Sequence, residues 1–151
     1  MPAPELRLVL AVSLDGRLAP PAGGAAQIGG EGDRQVLEQA LAWADACLIG
    51  ARTLRLHGTT CLIRDPALQA QRRSAGRSPQ PAALVVSRSG QFDPALRFFQ
   101  QPLRRWLLSP GGSRPVGFDQ ALALAADWPQ TLAALRSEEH TSELQSPDHL
   151  V

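Results

Sequence analysis

Four short apolar segments along the chain have the length and composition of buried strands. They cover residues 6–12, 46–49, 82–87 and 105–109, and each ends at or just before a serine or a glycine. Apolar runs of this length that stop abruptly at turn-forming residues are typical of parallel strands, because both faces of a parallel sheet are buried. The pattern therefore predicts four parallel strands.

Helices are predicted between these strands from apolar residues spaced three and four positions apart. The strongest pattern covers residues 33–44, where Asp33 is the expected N-terminal cap. Another predicted helix has proline in its first turn and Gly76 after its last residue. The predicted helical segments are residues 33–44, 53–56, 66–75, 118–126 and 129–136. Strands that alternate with helices predict an α/β fold with a mostly parallel, doubly wound sheet covered on both faces.

Polar residues and glycines follow the first two predicted strands. The first strand ends at Ser13-Leu14-Asp15-Gly16, and a loop rich in glycine and proline extends from there to about Gly32. The second ends at Ala51-Arg52-Thr53. Open α/β sheets bind ligands at the carboxyl ends of their strands, so this pattern predicts a site there. Asp15-Gly16 is also a common tight turn, and the glycine loop is either a phosphate-binding backbone or a plain connection.

Composition limits the class of protein. The 151 residues are 44% hydrophobic and 19% charged, which predicts one compact soluble domain. No apolar run approaches the roughly 20 residues that span a bilayer, and no basic region precedes the first apolar stretch, so we expect no membrane association, no signal peptide and a cytoplasmic location. All fifteen basic residues are arginines, scattered and without interleaved aromatics, so we expect no nucleic-acid partner.

Several kinds of chemistry find no support in the residue pattern. Cys47 and Cys61 lack metal or redox spacing, and we expect two free thiols that are buried or half-buried; the alternative is a disulfide. His57 has no second ligand at metal spacing, so no metal site is expected. The chain has no Gly-x-Ser-x-Gly elbow and no evident Cys–His pair, so nucleophilic hydrolysis is not supported.

The composition changes at residue 136. Residues 137–151 contain no Ala, Gly or Arg, yet they hold three of the six Glu and two of the three His. The twelve residues RSEEHTSELQSP at 136–147 resemble the conceptual translation of a common short-read sequencing adapter; the alternative is a natural polar tail. We therefore expect a truncated native domain over residues 1–135 and a non-native tail over residues 136–151. Without the tail's four acids the formal charge rises from +1 to about +5, which suits an anionic ligand.

Two further positions have alternative interpretations. Arg64 follows Leu62-Ile63 and precedes Asp65-Pro66; it is either a solvated charge at a helix entry or a fork for a phosphate group. Ser87 lies at the end of the third predicted strand, where it is either a turn former or a binding residue.

Taken together, three segments resemble the C-terminal reductase domain of bacterial riboflavin biosynthesis proteins, which has a dihydrofolate-reductase-like fold. The segments are LAVSLDGRLA at 10–19, ADACLIGARTLR at 44–55 and ALVVSRSG at 83–90. RLHGTT at 55–60 and the stretch 87–101 look closest to stand-alone cyanobacterial members. The similarity extends over residues 6–135.

The resemblance implies an NADPH-dependent reduction of the ribosyl ring of 5-amino-6-(5-phosphoribosylamino)uracil, a phosphorylated small molecule. It places Ala11 beside the nicotinamide, Thr53 and Ser87 against NADPH, and Arg64 against the substrate phosphate. Asp15 is the catalytic candidate, positioned to orient the ribose or relay a proton. The family also implies a homodimer.

The sequence departs from the family at several points. His57-Gly58-Thr59 stands where relatives of the bifunctional enzymes carry Asp-Asp-Pro, and Leu41 stands where they present a substrate-binding arginine. The later Glu-Gly-Gly segment and the final C-terminal strands are missing. Two alternatives therefore stay open: a reductase of the same fold that acts on a pterin or other heterocycle, and a non-catalytic fragment without measurable NADPH affinity.

Overall fold

The computed structural model describes residues 4–18, 20–22, 30–142 and 149–150. In chain order the elements are β1 (Glu5–Leu6), α1 (Glu31–Trp43), β2 (Ala46–Gly50), α2 (Ala51–His57), α3 (Pro66–Ser74), β3 (Ala82–Val86), a 3-10 turn (Arg97–Gln100), β4 (Arg105–Ser109), β5 (Gln120–Ala123), α4 (Trp128–Ser142) and β6 (His149–Leu150).

The described strands form one parallel sheet in the order β1-β6-β2-β3-β4-β5. Strands β2 and β3 pair from Ala46 with Ala82 to Gly50 with Val86, so their ends are level. Because the strands are parallel, their carboxyl ends meet at one edge of the sheet.

Helices cover both faces of the sheet. On one face, Leu135 of α4 packs against a cluster that also includes Ala46, Ala82, Leu84, Trp106 and Leu108. On the other face, Leu54 of α2 packs with Ala83, Val85, Phe98, Leu107 and Phe118. This arrangement confirms the predicted α/β, mostly parallel and doubly wound sheet.

The first predicted strand is wrong in extent and burial. Residues 6–12 were expected as a buried strand, but β1 covers only Glu5 and Leu6, and the side chains of Leu8 and Leu10 are 83% and 53% exposed. The neighbouring strand β6 pairs with β1 over two residue pairs. An apolar run becomes a buried parallel strand only where a neighbour continues the ladder and both faces are covered, which explains the difference.

The segment 118–126, predicted as a helix, instead contains the strand β5. Its four residues Gln-Ala-Leu-Ala pair with β4 from Trp106–Gln120 to Ser109–Ala123. A short apolar run does not distinguish a strand from a helix by periodicity, and here pairing with β4 overrides the helical preference of alanine.

The ends of the predicted helices differ by a few residues. The N-cap of α1 is Gly30, which makes no side-chain capping hydrogen bond. Asp33 lies instead in the first turn, where its negative charge interacts favourably with the positive end of the helix dipole. α3 begins at Pro66 with Asp65 as its cap, as the proline predicted. α4 begins at Trp128 and continues across Arg136 to Ser142.

Both cysteines are free thiols, but they differ in exposure. Cys47 on β2 is half-buried, and burial together with the nearby Cys61 raises the pKa of its thiol to about 11. Cys61 is exposed, in contrast to the expected burial.

Within the described residues, no group of three or more His, Cys, Asp or Glu side chains is placed to hold a metal ion. No helix in the same residues is long and apolar enough to cross a membrane.

Replacing Gly117 with alanine is expected to lower the free energy of unfolding by about 2–3 kcal/mol, because it combines backbone strain with overpacking. Gly117 has φ +96°, and a Cβ there would lie 2.7 Å from Cδ1 of Phe99. Gly111→Ala is the matched control, since a Cβ at Gly111 meets open space. Urea unfolding curves measure both; equal losses in the two variants would contradict the explanation.

Candidate functional site

The best-defined candidate site lies where β2 and β3 end. Gly50 pairs with Val86, and the chain then continues into α2 on one side and into Ser87 on the other. The level register places Thr53 and Ser87 at the same edge of the sheet, so the structure brings these two predicted residues together.

Thr53 is an exposed residue in the first turn of α2. The N-cap of this helix is Gly50, which makes no side-chain hydrogen bond to the following amides, and a Cβ on Gly50 would meet open space. The first amide groups of α2 are therefore approachable, which a phosphate oxygen requires.

Ser87 shapes the turn after β3. Its side chain is buried, its Oγ accepts a hydrogen bond from the Gly90 amide at 3.0 Å, and its own amide donates to the Leu108 carbonyl at 2.9 Å. The turn-forming interpretation of Ser87 is therefore present in the structure.

Arg55 fixes α2 against this turn. Its Nη2 donates to the Gln91 carbonyl at 2.9 Å, and its guanidinium lies 4.7 Å from the centre of the Phe92 ring. Helix α2 and the loop after β3 are therefore in contact at this edge of the sheet.

Two arginines that sequence analysis did not single out lie at this edge. Arg52 and Arg88 each lie two residues beyond the Gly50–Val86 pair, and both are exposed. These two exposed arginines add positive charge near the uncapped start of α2, which favours an anionic ligand at this edge. Both arginines stand two residues after a strand end, and this equal spacing could have identified them in the sequence. The spacing can be recognised only when the register of β2 and β3 is known.

Asp15 takes part in local contacts. The Gly16 amide donates to the Ser13 carbonyl at 2.8 Å, Gly16 has φ +80°, and the Ser13 hydroxyl donates to the Asp15 carboxylate. Arg17 Nε lies 3.1 Å from Asp15 Oδ2, with both side chains largely exposed. The tight-turn interpretation of Asp15-Gly16 is therefore present.

Ala11 is half-buried in the segment between β1 and this turn. Since β1 is parallel to the other strands, its carboxyl end faces the same edge of the sheet as those of β2 and β3. Most of the glycine-rich loop, residues 23–29, lies outside the described residues.

Arg64 precedes the cap of α3 and is held by α1. Its amide donates to Glu38 Oε2 at 2.9 Å, and the next amide, that of Asp65, donates to the same oxygen at 2.8 Å. Asp65 Oδ1 in turn accepts from the Ala67 amide at 2.8 Å. Within the described residues, the Arg64 amide thus bonds to α1, and no hydrogen bond joins Arg64 to Thr53 or Ser87.

Glu38 is a buried carboxylate, 4% exposed, that sequence analysis missed. Although burial opposes ionisation, hydrogen bonds from Arg34 and from the amides of Asp65 and Arg64 hold the pKa of Glu38 below its ordinary value. The available signal was its position three residues before Leu41, on the buried stripe of α1.

The two departures from the resembling family lie in different environments. Leu41 is fully buried, so that position of α1 faces the core. His57 is the exposed last residue of α2.

Comparison with known proteins gives a family and a fold. The profile of the RibD C-terminal domain matches residues 4–142. A pyrimidine reductase-like protein from Corynebacterium diphtheriae superimposes with a TM-score of 0.74 at 21% identity, over 97% of this chain and 64% of that one. A diaminohydroxyphosphoribosylaminopyrimidine deaminase/5-amino-6-(5-phosphoribosylamino)uracil reductase from Thermotoga maritima gives 0.73 at 18% identity, over 98% of this chain and 38% of that one.

The chain therefore spans less than two thirds of the length of either solved structure. At these identities the likeness shows the fold alone. No curated protein matches the sequence.

Proposed function

The chain belongs to the RibD C-terminal domain family, and from this we propose that it derives from an NADPH-dependent reductase of 5-amino-6-(5-phosphoribosylamino)uracil in riboflavin biosynthesis. The observation that carries the proposal is the family match over residues 4–142. The shared fold of two pyrimidine reductase or reductase-like proteins supports it. We also propose that the enzyme is cytoplasmic and a homodimer.

The edge formed by β2 and β3 has the chemistry that a phosphorylated dinucleotide needs. Thr53 and the amides of the first turn of α2 would hold the pyrophosphate, and Ser87 would line the adenosine side. Arg52 and Arg88 would pair with the additional phosphate that distinguishes NADPH from NADH, since guanidinium groups bind phosphate oxygens in pairs. Ala11 would lie beside the nicotinamide. The bound cofactor supplies the hydride, and the protein supplies contact geometry between two rings.

Substrate recognition is assigned to the remaining predicted residues. Arg64 would bind the substrate phosphate, because its side chain is exposed and its backbone is held by Glu38. Asp15 would orient the ribose or relay a proton; its carboxylate is exposed and lies 3.1 Å from Arg17 Nε.

A second candidate is a reductase of the same fold that acts on a pterin or other heterocycle. The departures at His57 and Leu41 favour it, because leucine, here fully buried, stands where relatives present a substrate-binding arginine. A third candidate is a non-catalytic fragment, favoured by the exposed apolar side chains of Leu8 and Leu10 after β1, since such patches promote association rather than catalysis.

NADPH titration and turnover distinguish these candidates. The pyrimidine reductase proposal expects oxidation of NADPH with the phosphoribosylaminouracil and not with a pterin. Turnover with a pterin alone would favour the second candidate. An absence of NADPH binding by fluorescence titration would favour the third.

Arginine variants test the cofactor assignment. Arg52→Ala and Arg88→Ala are each expected to weaken NADPH binding about tenfold while leaving NADH binding almost unchanged, as for a lost hydrogen bond to a charged group. Arg97→Ala is the control, because Arg97 is exposed on the 3-10 turn away from this edge. Equal losses for NADPH and NADH would contradict the role given to the two arginines.

A further inference from the structure

The connection between α2 and α3 is held by side chains that lie outside it. Gln101 exchanges two hydrogen bonds with the backbone of Thr60, each of 2.9 Å. Gln80 exchanges two of 2.8 Å with the backbone of Ile63, whose carbonyl also accepts from Gln69 at 2.8 Å. Glu38 accepts from the amides of the next two residues. The path of residues 60–65 is therefore fixed by four side chains.

These contacts use buried polar groups. Glu38 is 4% exposed and Gln80 is 7% exposed. Burying such groups is unfavourable unless they are hydrogen-bonded, and here their partners are backbone groups of an irregular segment that has no strand or helix to bond with. The result is a loop with little freedom of its own.

The side chain of Arg64 contrasts with this fixed backbone. It is exposed, and within the described part of the chain its guanidinium has no hydrogen-bond or ion-pair partner. A cation on a rigid backbone binds an anion with a smaller loss of conformational entropy than one on a mobile loop.

We propose that Glu38 is a positioning residue that holds Arg64 for binding a phosphate group. This inference rests on the proposed function, in which Arg64 contacts the phosphate of the substrate.

The geometry of Glu38 suits this role in two ways. Its Oε2 accepts both amides that flank the Arg64 side chain, while its Oε1 is fixed by Arg34 Nε at 2.8 Å, so the carboxylate has one orientation. The ion pair with Arg34 also offsets the negative charge of Glu38, which leaves the positive charge of Arg64 available to a ligand.

Binding of ribose 5-phosphate, measured by calorimetry, tests the proposal without requiring turnover. Arg64→Ala and Glu38→Ala are each expected to weaken binding about tenfold. The double variant is expected to be no weaker than Arg64→Ala, because both changes remove one interaction. Glu38→Gln keeps an oxygen for the two amides and is expected to restore most of the affinity. Glu31→Ala, an exposed glutamate on the same helix, is the control.

Kinetics with the phosphorylated substrate give the second measurement. Glu38→Ala is expected to raise KM for the substrate, with kcat and KM for NADPH unchanged. A loss of NADPH affinity equal to that for ribose 5-phosphate, additive losses in the double variant, or no binding of ribose 5-phosphate by the wild type would overturn the proposal. If the variants behave as expected but no substrate is reduced, the proposed function fails and the positioning role stands.

Discussion

Replacing Arg72 with methionine is expected to lower the free energy of unfolding by about 3–5 kcal/mol, because it removes the donor of several buried carbonyl groups at a cost of about 1–3 kcal/mol each. The side chain is 3% exposed, and its Nη1 donates to the carbonyls of Ala42 at 3.0 Å and Ala44 at 2.6 Å. Its Nε donates to the Ser78 carbonyl at 2.7 Å. Burial lowers the pKa of Arg72 to about 10, so the side chain is charged at neutral pH.

The size of this effect comes from the end of α1. The last carbonyls of a helix have no partner within it, and here Arg72 supplies the partner from α3. Methionine fills a similar volume but removes the side-chain donor of the Leu41 and Ala44 carbonyls, whereas the Ala42 carbonyl keeps a hydrogen bond from Arg77 Nη1 at 3.2 Å. The contacts also join α3 to α1, so the packing of the two helices depends on them.

The neighbouring Arg73 provides a matched control. Arg73 is exposed, and its Nη2 makes one long hydrogen bond of 3.4 Å to Gln69. Arg73→Met is expected to change the stability by less than about 0.5 kcal/mol. Urea unfolding followed by tryptophan fluorescence measures both variants, and a similar loss in Arg73→Met would show that the helix surface rather than the buried cation matters.

Replacing Trp106 with alanine is expected to lower the free energy of unfolding by about 3–5 kcal/mol, as for other large core aromatics. Trp106 lies on β4, is 2% exposed, and packs with Leu84 of β3 and Leu135 of α4. The guanidinium of Arg104 lies 5.7 Å from the centre of its ring. Removal of the indole therefore opens a cavity between the sheet and α4.

Trp128 is the control for this change. It lies at the start of α4 and is 48% exposed, so Trp128→Ala is expected to lose less than about 1 kcal/mol. Circular dichroism during urea unfolding is the suitable measurement, because the tryptophan signal itself changes. If Trp106→Ala were no less stable than Trp128→Ala, the indole of Trp106 would not be a main part of the core.

The central strands could be predicted from the sequence because each is a short apolar run that ends at a turn-forming residue. β2, β3 and β4 were predicted to within a residue. The prediction failed at the margins of the sheet. β5 reads as a helix by composition, and the segment after β1 reads as a buried strand although its burial depends on a neighbour rather than on its own residues.

The candidate site was predictable only in part. Thr53 and Ser87 could be placed at one edge of the sheet because each follows a predicted strand and parallel strands end at the same edge. Their roles in binding came from the family resemblance and stay predictions. Glu38 and Arg72 were missed because their partners are backbone groups 26 to 31 residues away in the chain. A buried polar side chain that bonds to a distant backbone has no sequence signature beyond its place on an apolar face.

In the segment 60–65, the side chains that determine the backbone path are different from the side chains that face solvent and could contact a ligand. Gln101, Gln80, Gln69 and Glu38 determine the path of the backbone, and none of them belongs to the segment itself. The exposed side chains of Cys61 and Arg64 make none of these hydrogen bonds, so we expect substitutions there to leave that path unchanged. A scaffold of this kind lets ligand preference diverge between homologous proteins while the loop keeps its shape.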